Sequence, residues 1–440
     1  MKKGRTKKIH SAVVRDSIST FSTNLFNSAL GLFASLIVLT RVEPEIRGYF
    51  SQLQLWGGGL YTILGLSAAS AVIYFVARNS IQNAEHAIKW LSVGITAVIA
   101  VVGIGLMFFL RGSSFFSQTP RAFLAAIVLY GVLSFLFNIC MSILRGENKF
   151  KSYNLVNLFQ RILMTALALL IFFRPNAYVW VWGAVCISCG MTLFALYGVI
   201  RWNGPKPKPA PENDRPVVVG EMVSYSLKSH VSNVLTYLNS YLGSYIVQGV
   251  YSIANYSIYN TAVTMMQQVW VLPDAVSQVI LSRIAGLTEK KDKVRLTVLS
   301  SKVVAYITTV AAIAMYWLAK LLVPIIFPMY VGALGPLPYL MIGSVFISYS
   351  KVLGNSIAGY GRPELNIIST ALGIACNIVS SLILLPFMGA NGIALATSIS
   401  MTTQAVSCIV IFCRYSHTPV YRLVIPNREE IAMAARIFHR

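Results

Sequence analysis

The residues that could do chemistry in this chain are ionisable groups set inside or against long apolar runs. The stretch "VSYSLKSHVSNVLTYLNSYLGSYIV", residues 223–247, is long enough to cross a bilayer, yet carries Lys228 and His230 on its early turns. A cation in hydrocarbon costs roughly 2.5–3.5 kcal/mol on insertion scales, so such groups normally face a bundle interior or a watery cavity. Arg15 and Asp16 open the first apolar run, and Arg161 lies early in the fifth. Asp274 follows Pro273 in the eighth run, and Lys351 sits near the end of the tenth. Cations outnumber carboxylates in this set. Lys and Arg bind phosphate and pyrophosphate through charge-assisted hydrogen bonds, so the set fits an anionic ligand better than an organic cation. Lys228 leads this group, with Arg15, Arg161 and Lys351 as lesser candidates.

Each position also has an ordinary reading. Arg15, Asp16 and Arg161 fit interfacial charges that snorkel, and Glu221 fits an acidic residue at a helix N-terminus. Asp274 has three readings: a pair with Lys228, a site for a coupling cation, or a group that re-satisfies backbone freed by Pro273. His230 is either a satisfied polar residue or a functional one. Tyr237, Tyr241, Tyr245, Tyr256 and Tyr259 could stack on sugars or form an interfacial belt.

The elements that position these residues follow from composition. The 440 residues are 56% hydrophobic and 11% charged, with mean hydropathy +0.66. A soluble domain has about 25% charged residues. Apolar stretches of roughly 20 residues recur along the chain, which predicts an all-α polytopic membrane protein. About twelve helices are expected, over 13–40, 48–76, 89–110, 121–144, 156–173, 179–201, 221–247, 254–281, 297–318, 335–358, 365–386 and 391–413. The basic N-terminus is not followed by a cleavable signal pattern, so the first run is expected to stay as a helix.

Charge tests this layout. The formal net charge is +22, from 36 Lys and Arg against 14 Asp and Glu. With the N-terminus inside, about 29 cations fall on cytoplasmic segments and six outside, leaving Lys228 within the membrane. Both termini are therefore expected in the cytoplasm. The Pro-rich segment "RWNGPKPKPAPENDRPVV" reads as an extended linker between two six-helix halves. This gives an N-terminal bundle over 1–203, a cytoplasmic linker over 204–218, a C-terminal bundle over 219–413 and a tail over 414–440. "ISTFSTNLFN" and "LKSHVSNVLT" echo one another weakly, and halves with an even helix count would be related by a pseudo-two-fold along the membrane normal around a central cavity.

Much chemistry is missing. No G-x-x-x-x-G-K-[ST] loop is present, so no ATP hydrolysis is expected of this chain. Five scattered histidines without H-E-x-x-H or a Cys/His cluster argue against a metal. "GIGL" and "GGG" read as helix-packing glycines. The six cysteines read as buried structural thiols, Cys186-x-x-Cys189 included. The net charge reads as topology plus attraction to anionic lipid, not as a nucleic-acid surface. An uncatalytic, transporter-like body is expected, with no cofactor.

Several stretches resemble a known family. "LTRVEPEIRGYFSQL" (39–53), "ILRGENKFKSYNLVNLFQRIL" (143–163), "IANYSIYNTAV" (253–263), "VLPDAVSQVILSRIAGL" (271–287) and "IAGYGRPELNIISTALGIACNIVSSLILLPFMGANGIALATSIS" (357–400) are similar, in order and spacing, to polysaccharide-repeat-unit (O-antigen-type, Wzx-like) flippases. These belong to the multidrug/oligosaccharidyl-lipid/polysaccharide exporter superfamily. The resemblance covers about 40–410 and implies two six-helix bundles flanking a central cavity. It also implies movement of an undecaprenyl-pyrophosphate-linked oligosaccharide across a bacterial inner membrane by alternating access. Lys228, with Arg15, Arg161 and Lys351, would then attract the pyrophosphate; Asp274, His230 and Asp16 would be candidate carriers of a coupling ion. Membrane lipids and polysaccharide polymerase or assembly proteins would be the partners. One departure is clear: where many relatives carry an Asp thirteen residues before the Tyr that opens the next helix, this chain has Gly243 before Tyr256. A multidrug cation antiporter of the same superfamily, a carrier of a different lipid-linked precursor and a non-transporting scaffold for polysaccharide assembly are the competing readings.

Overall fold

The computed structural model describes residues 23, 26–202, 215–286, 289–359, 362 and 364–425. Arg15 and Asp16 lie outside them. The described residues form α1 (Phe26–Arg41), α2 (Pro44–Leu64), α3 (Ala68–Arg78), α4 (Ile81–Leu110), α5 (Arg121–Gly146), α6 (Phe150–Phe173) and α7 (Ala177–Trp202). They continue with α8 (Val219–Val250), α9 (Ile253–Gly286), α10 (Lys290–Ile326), a 3-10 turn (Pro328–Leu334), α11 (Leu337–Gly359), α12 (Glu364–Met388), α13 (Ala390–Ser416) and α14 (Tyr421–Val424). No strand occurs among the described residues. Eight of these helices are long and apolar enough to cross a membrane, or nine with the bent pair α2–α3. The chain is an all-α polytopic membrane protein. Helices are the natural form, because backbone N–H and C=O groups in hydrocarbon must be satisfied within the segment. Hydroxyls in the spans follow the same rule: Thr165, Thr192, Thr264, Thr308 and Thr397 each donate to the carbonyl four residues earlier.

Helices run past the apolar windows. α4 begins at Ile81, not near 89, and α10 covers Lys290–Ile326 where hydropathy outlines only 297–318. Hydropathy marks the part in hydrocarbon, whereas the backbone hydrogen-bond ladder continues into polar surroundings. The expected second helix is broken. Leu66 and Ser67 both take left-handed backbone (φ 49° and 52°), and α2 and α3 meet at 55°. The Gly65 amide closes α2 on Tyr61 O, and the Ala68 amide bonds Gly65 O.

The chain divides into two compact units, 1–237 with 248–257, and 238–247 with 258–440. In the first, α5 packs against α2, α3, α4, α6 and α7. Its small residues permit this. A Cβ added at Gly57 would lie 2.7 Å from the Tyr130 ring, and one at Gly131 would lie 3.2 Å from Gly57 O. Gly103 abuts Val128 and Leu60, so it packs as expected, but Gly105 faces open space. In the second unit α13 packs against α11 and α12. Ser398 donates to Tyr339 O and accepts from the Gly343 amide at 3.2 Å. Gly389 alone separates α12 from α13, at φ 58° and ψ −134°, which only glycine adopts easily.

The "EPEIRGYF" stretch clasps the α8–α9 junction within the first unit. Buried Arg47 donates to Ser257 O at 3.1 Å, and Tyr256 donates its hydroxyl to Ser51 O at 3.3 Å. Around the same junction Trp56 donates to Gln248 Oε1 at 2.6 Å, and Gln52 and Gln248 both donate to Phe115 O. Gly48 is required by proximity, because a Cβ there would sit 2.5 Å from Ile253 O. Gly48→Leu is therefore expected to destabilise the protein by about 1–3 kcal/mol through overpacking. Denaturant unfolding in detergent checks this, with Gly105→Leu expected to be near neutral. Equal effects of the two would remove the clasp from the account.

Candidate functional site

The ionisable residues in and near the spans separate by helix face and by unit. On α8, Val219, Val223, Ser226, His230, Asn233 and Tyr237 recur at three- and four-residue spacing and so share one face. That face meets the broken helix within the first unit. Asn233 donates to the Ser67 hydroxyl at 2.8 Å, His230 Nδ1 lies 3.4 Å from the same hydroxyl, and Tyr237 donates to Leu55 O at 2.8 Å. The left-handed turn at Leu66–Ser67 is what presents the Ser67 hydroxyl to α8. His230 is thus a held polar residue. Lys228, two residues away, projects from the other side of α8 and is exposed.

Arg161, on α6, reaches α1. A Cβ at Gly31 would lie 3.0 Å from its Nη1, so the bare backbone at Gly31 makes room for the guanidinium. No carboxylate or hydrogen-bond acceptor engages the Arg161 guanidinium among the described residues, and the same holds for the Lys228 ammonium. Arg161 lies eleven residues into α6, roughly 16 Å along the axis.

Lys351 and Asp274 behave differently. In the second unit, Lys351 Nζ of α11 sits 2.5 Å from Asp274 Oδ1 of α9, and 4.7 Å from the centre of the Trp270 ring. The side chains are 23% and 47% exposed. The carboxylate that the sequence left open to Lys228 is taken by Lys351, and Lys351 has lost the free charge expected of an anion ligand. Pro273 places Asp274 at a weak point of the α9 ladder, and Trp270 one turn earlier adds its ring face to the cation.

Several functional-looking features were not read from the sequence. In the second unit Asn239 donates to Gln404 at 2.6 Å, Ser400 donates to Asn239 at 2.7 Å, and Gln404 donates to Thr370 at 3.0 Å, a network joining α8, α12 and α13. Amides in apolar runs were the available signal. Lys302, counted with the cytoplasmic charges, is only 4% exposed and engaged. Two tyrosines are withdrawn from any sugar-stacking role: Tyr256 is fully buried and Tyr259 is 2% exposed. The expected burial of Cys186 and Cys189 also fails; both are exposed on α7, while Cys140 and Cys408 are buried. A helix this apolar can face lipid on all sides it does not pack, so periodicity did not separate the two. At Gly243, an added Cβ would stand 2.7 Å from Thr397 Oγ1 and 2.9 Å from the Tyr259 hydroxyl. Neutral hydroxyls fill the space a longer side chain would need.

A family model described as "Polysaccharide biosynthesis protein" matches residues 76–329, more than half of the chain. The chain belongs to the polysaccharide biosynthesis protein family. An uncharacterized membrane protein of Methanocaldococcus jannaschii is 24% identical over 412 residues, covering 87% of this chain and 75% of that protein. Among solved structures of this fold, the lipid II flippase MurJ in an inward closed conformation aligns with a TM-score of 0.69 at 17% identity, over 92% of this chain and 88% of that one. A multidrug resistance MATE family transporter of the MOP superfamily, inward-facing, aligns with a TM-score of 0.62 at 14% identity, over 92% and 98%. A MOP superfamily transporter from Pyrococcus furiosus, for which reverse polarity of the binding pocket suggests a different function, aligns with a TM-score of 0.59 at 14% identity, over 94% and 96%. The polysaccharide biosynthesis family member described here therefore has a MurJ- and MATE-like fold.

The Lys351–Asp274 pair is expected to show a coupling of about 1 kcal/mol, the upper end for part-exposed ion pairs. A double-mutant cycle with Lys351→Met and Asp274→Asn, read by unfolding in detergent, measures it. Strict additivity of the two changes would mean that the pair contributes nothing to the fold.

Proposed function

We propose that this protein is a lipid-linked oligosaccharide flippase. It moves undecaprenyl-pyrophosphate-linked polysaccharide repeat units from the cytoplasmic to the outer leaflet of a bacterial inner membrane by alternating access, coupled to an ion gradient. It is a transporter and not an enzyme. Both termini face the cytoplasm, and residues 1–203 and 219–413 act as the two bundles joined by the 204–218 linker, with a cytoplasmic tail over 414–440. Membership of the polysaccharide biosynthesis family and the transporter fold support this reading.

The observation that carries it is the sign of the uncompensated charge. Arg161 and Lys228 have no counter-ion among the described residues, whereas Asp274 is neutralised by Lys351. A pyrophosphate satisfies such cations, and a drug cation does not. Arg161 and Lys228 are the anion-binding residues, with Arg15 secondary to them; the Lys351–Asp274 pair, Asp16 and His230 are the candidates for ion coupling.

A charge-assisted hydrogen bond is worth about 1.5–3 kcal/mol, so Arg161→Ala is expected to slow transport by about ten- to a hundredfold. Arg161→Lys should recover part of the loss, and Lys228→Ala should act in the same direction. Vesicles reconstituted with the protein and a fluorescent pyrophosphate-linked oligosaccharide lipid provide the measurement, read as label that becomes accessible from the opposite leaflet. A folded Arg161→Ala/Lys228→Ala double variant working at the unmodified rate would sink the reading. Proton-driven efflux of organic cations would favour the antiporter alternative.

A further inference from the structure

The connection between α4 and α5 is held more firmly than a loop at a membrane surface needs. Gln52 of α2 and Gln248 of α8, 1% and 2% exposed, both donate to Phe115 O, at 3.1 and 3.0 Å. Their own oxygens are used as well. Thr119 donates to Gln52 Oε1 at 3.0 Å, and Trp56 donates to Gln248 Oε1 at 2.6 Å. The Phe116 ring is buried against Trp56, and bare backbone at Gly249 admits the Phe115 ring, which an added Cβ would approach to 2.7 Å. A buried polar network with both ends of each amide satisfied rigidifies what it holds. Here it holds one wall of a cavity.

The cavity, of about 170 Å³, lies between this loop and the α8–α9 turn, within the first unit. Ser114, Ser117 and Gln118 line it from the loop, and Tyr251 and Ser252 from the turn, with Phe115 adding apolar surface. No charged side chain is among the lining residues. The hydroxyls of Ser114, Ser117 and Tyr251 bond to no other described residue. Gln118 accepts from the Ile253 amide at 2.9 Å, and its NH2 group has no acceptor among the described residues.

These groups decide the class of ligand. Hydroxyls and carboxamides both donate and accept, so they match a neutral ligand that does the same at several points. An anion would seek the amides at the α9 N-terminus, but Ile253 N is taken by Gln118 Oε1 and Asn255 N by Ser252 Oγ, at 3.3 Å. A cation finds no carboxylate, and an apolar chain would leave the free hydroxyls unsatisfied. A sugar ring carries hydroxyls around its edge and C–H bonds on its faces, which suits hydroxyls set beside Phe115. Its place across the membrane follows from α8. Gln248 lies twenty residues beyond Lys228 on this helix, roughly 30 Å along the axis, about the thickness of the hydrocarbon layer. With Lys228 on the cytoplasmic half, the cavity stands at the outer face.

We infer that this cavity binds one neutral sugar ring at the outer face, as a docking point for a saccharide that has crossed. The sugar class comes from the lining; that the sugar is carried on a crossing lipid rests on the flippase reading.

The test is saturation-transfer NMR on the full-length protein in phosphatidylcholine nanodiscs, whose lipid has no sugar headgroup. The methyl glycosides of glucose, galactose and N-acetylglucosamine are the probes, and that of glucuronic acid is the charged control. Signal is expected from at least one neutral glycoside and not from the glucuronide. Ser114→Ala/Ser117→Ala/Tyr251→Phe removes only hydroxyls without a protein partner, so it should melt near the unmodified protein while binding weakens by about tenfold. Ser117→Trp, which fills the cavity, should also abolish the signal. Gly112→Trp, on the same loop but outside the lining and in open space, should leave it unchanged. Absence of signal from every neutral glycoside, equal signal from the glucuronide, or signal that survives the triple variant would overturn the inference. Transport measured alongside separates the two claims. Sugar binding without transport sinks the flippase reading alone, and transport without sugar binding sinks the cavity alone.

Discussion

A backbone amide in hydrocarbon has no water to turn to, and most of this structure follows from that. It makes every span a helix, sends the threonine hydroxyls back to carbonyls of their own turn, and restricts breaks to places where protein surrounds them. The α2–α3 break at Leu66–Ser67 is such a place, closed by the Gly65 and Ala68 amides and met by Asn233 from α8. With so little hydrophobic drive between helices in lipid, close approach must come from small residues. Gly57 and Gly131 bring α2 onto α5, Gly48 brings α2 onto the α8–α9 junction, and Gly343 brings α11 onto Ser398 of α13.

The same solvent sorts the charges. The Lys351–Asp274 pair has one half-exposed partner, and Trp270 presents its ring face to the ammonium on the other side. Buried Arg47 is spent on a carbonyl, where it fixes the start of α9. Arg161 and Lys228 have no counter-ion among the described residues, and it is this difference in partners, not the presence of cations as such, that singles them out. Helix-dipole and positive-inside effects explain the remaining basic residues at helix ends without reference to a ligand.

Much of the architecture was legible from hydropathy, because a run of apolar residues long enough to span is hard to satisfy in any other form. Twelve runs predicted the helices, and α8 and α9 were placed although they are too polar to pass as ordinary spans. Their boundaries were short because hydropathy sees the hydrocarbon layer, not the hydrogen-bond ladder. The break in the second run was not seen: neither Leu66 nor Ser67 announces a left-handed turn, and Gly65 alone is common in packed helices. Of the candidate site, the residue types were legible but their pairing was not. Asp274 and Lys351 are far apart in sequence, and no periodicity links α9 to α11.

Spacing along α8 puts Lys228 and His230 on different sides of the helix, since two residues subtend more than half a turn, although the sequence reading treats them together. Composition likewise determined that the protein lives in a membrane and that its basic residues crowd one set of loops. Which face of α8 meets another helix, which cation keeps its charge free, and which carboxylate is already taken were decided by tertiary structure alone. The physical reason is that burial and pairing depend on distances between side chains on different helices. Those distances are set by where glycines and serines let backbones touch, which hydropathy does not encode.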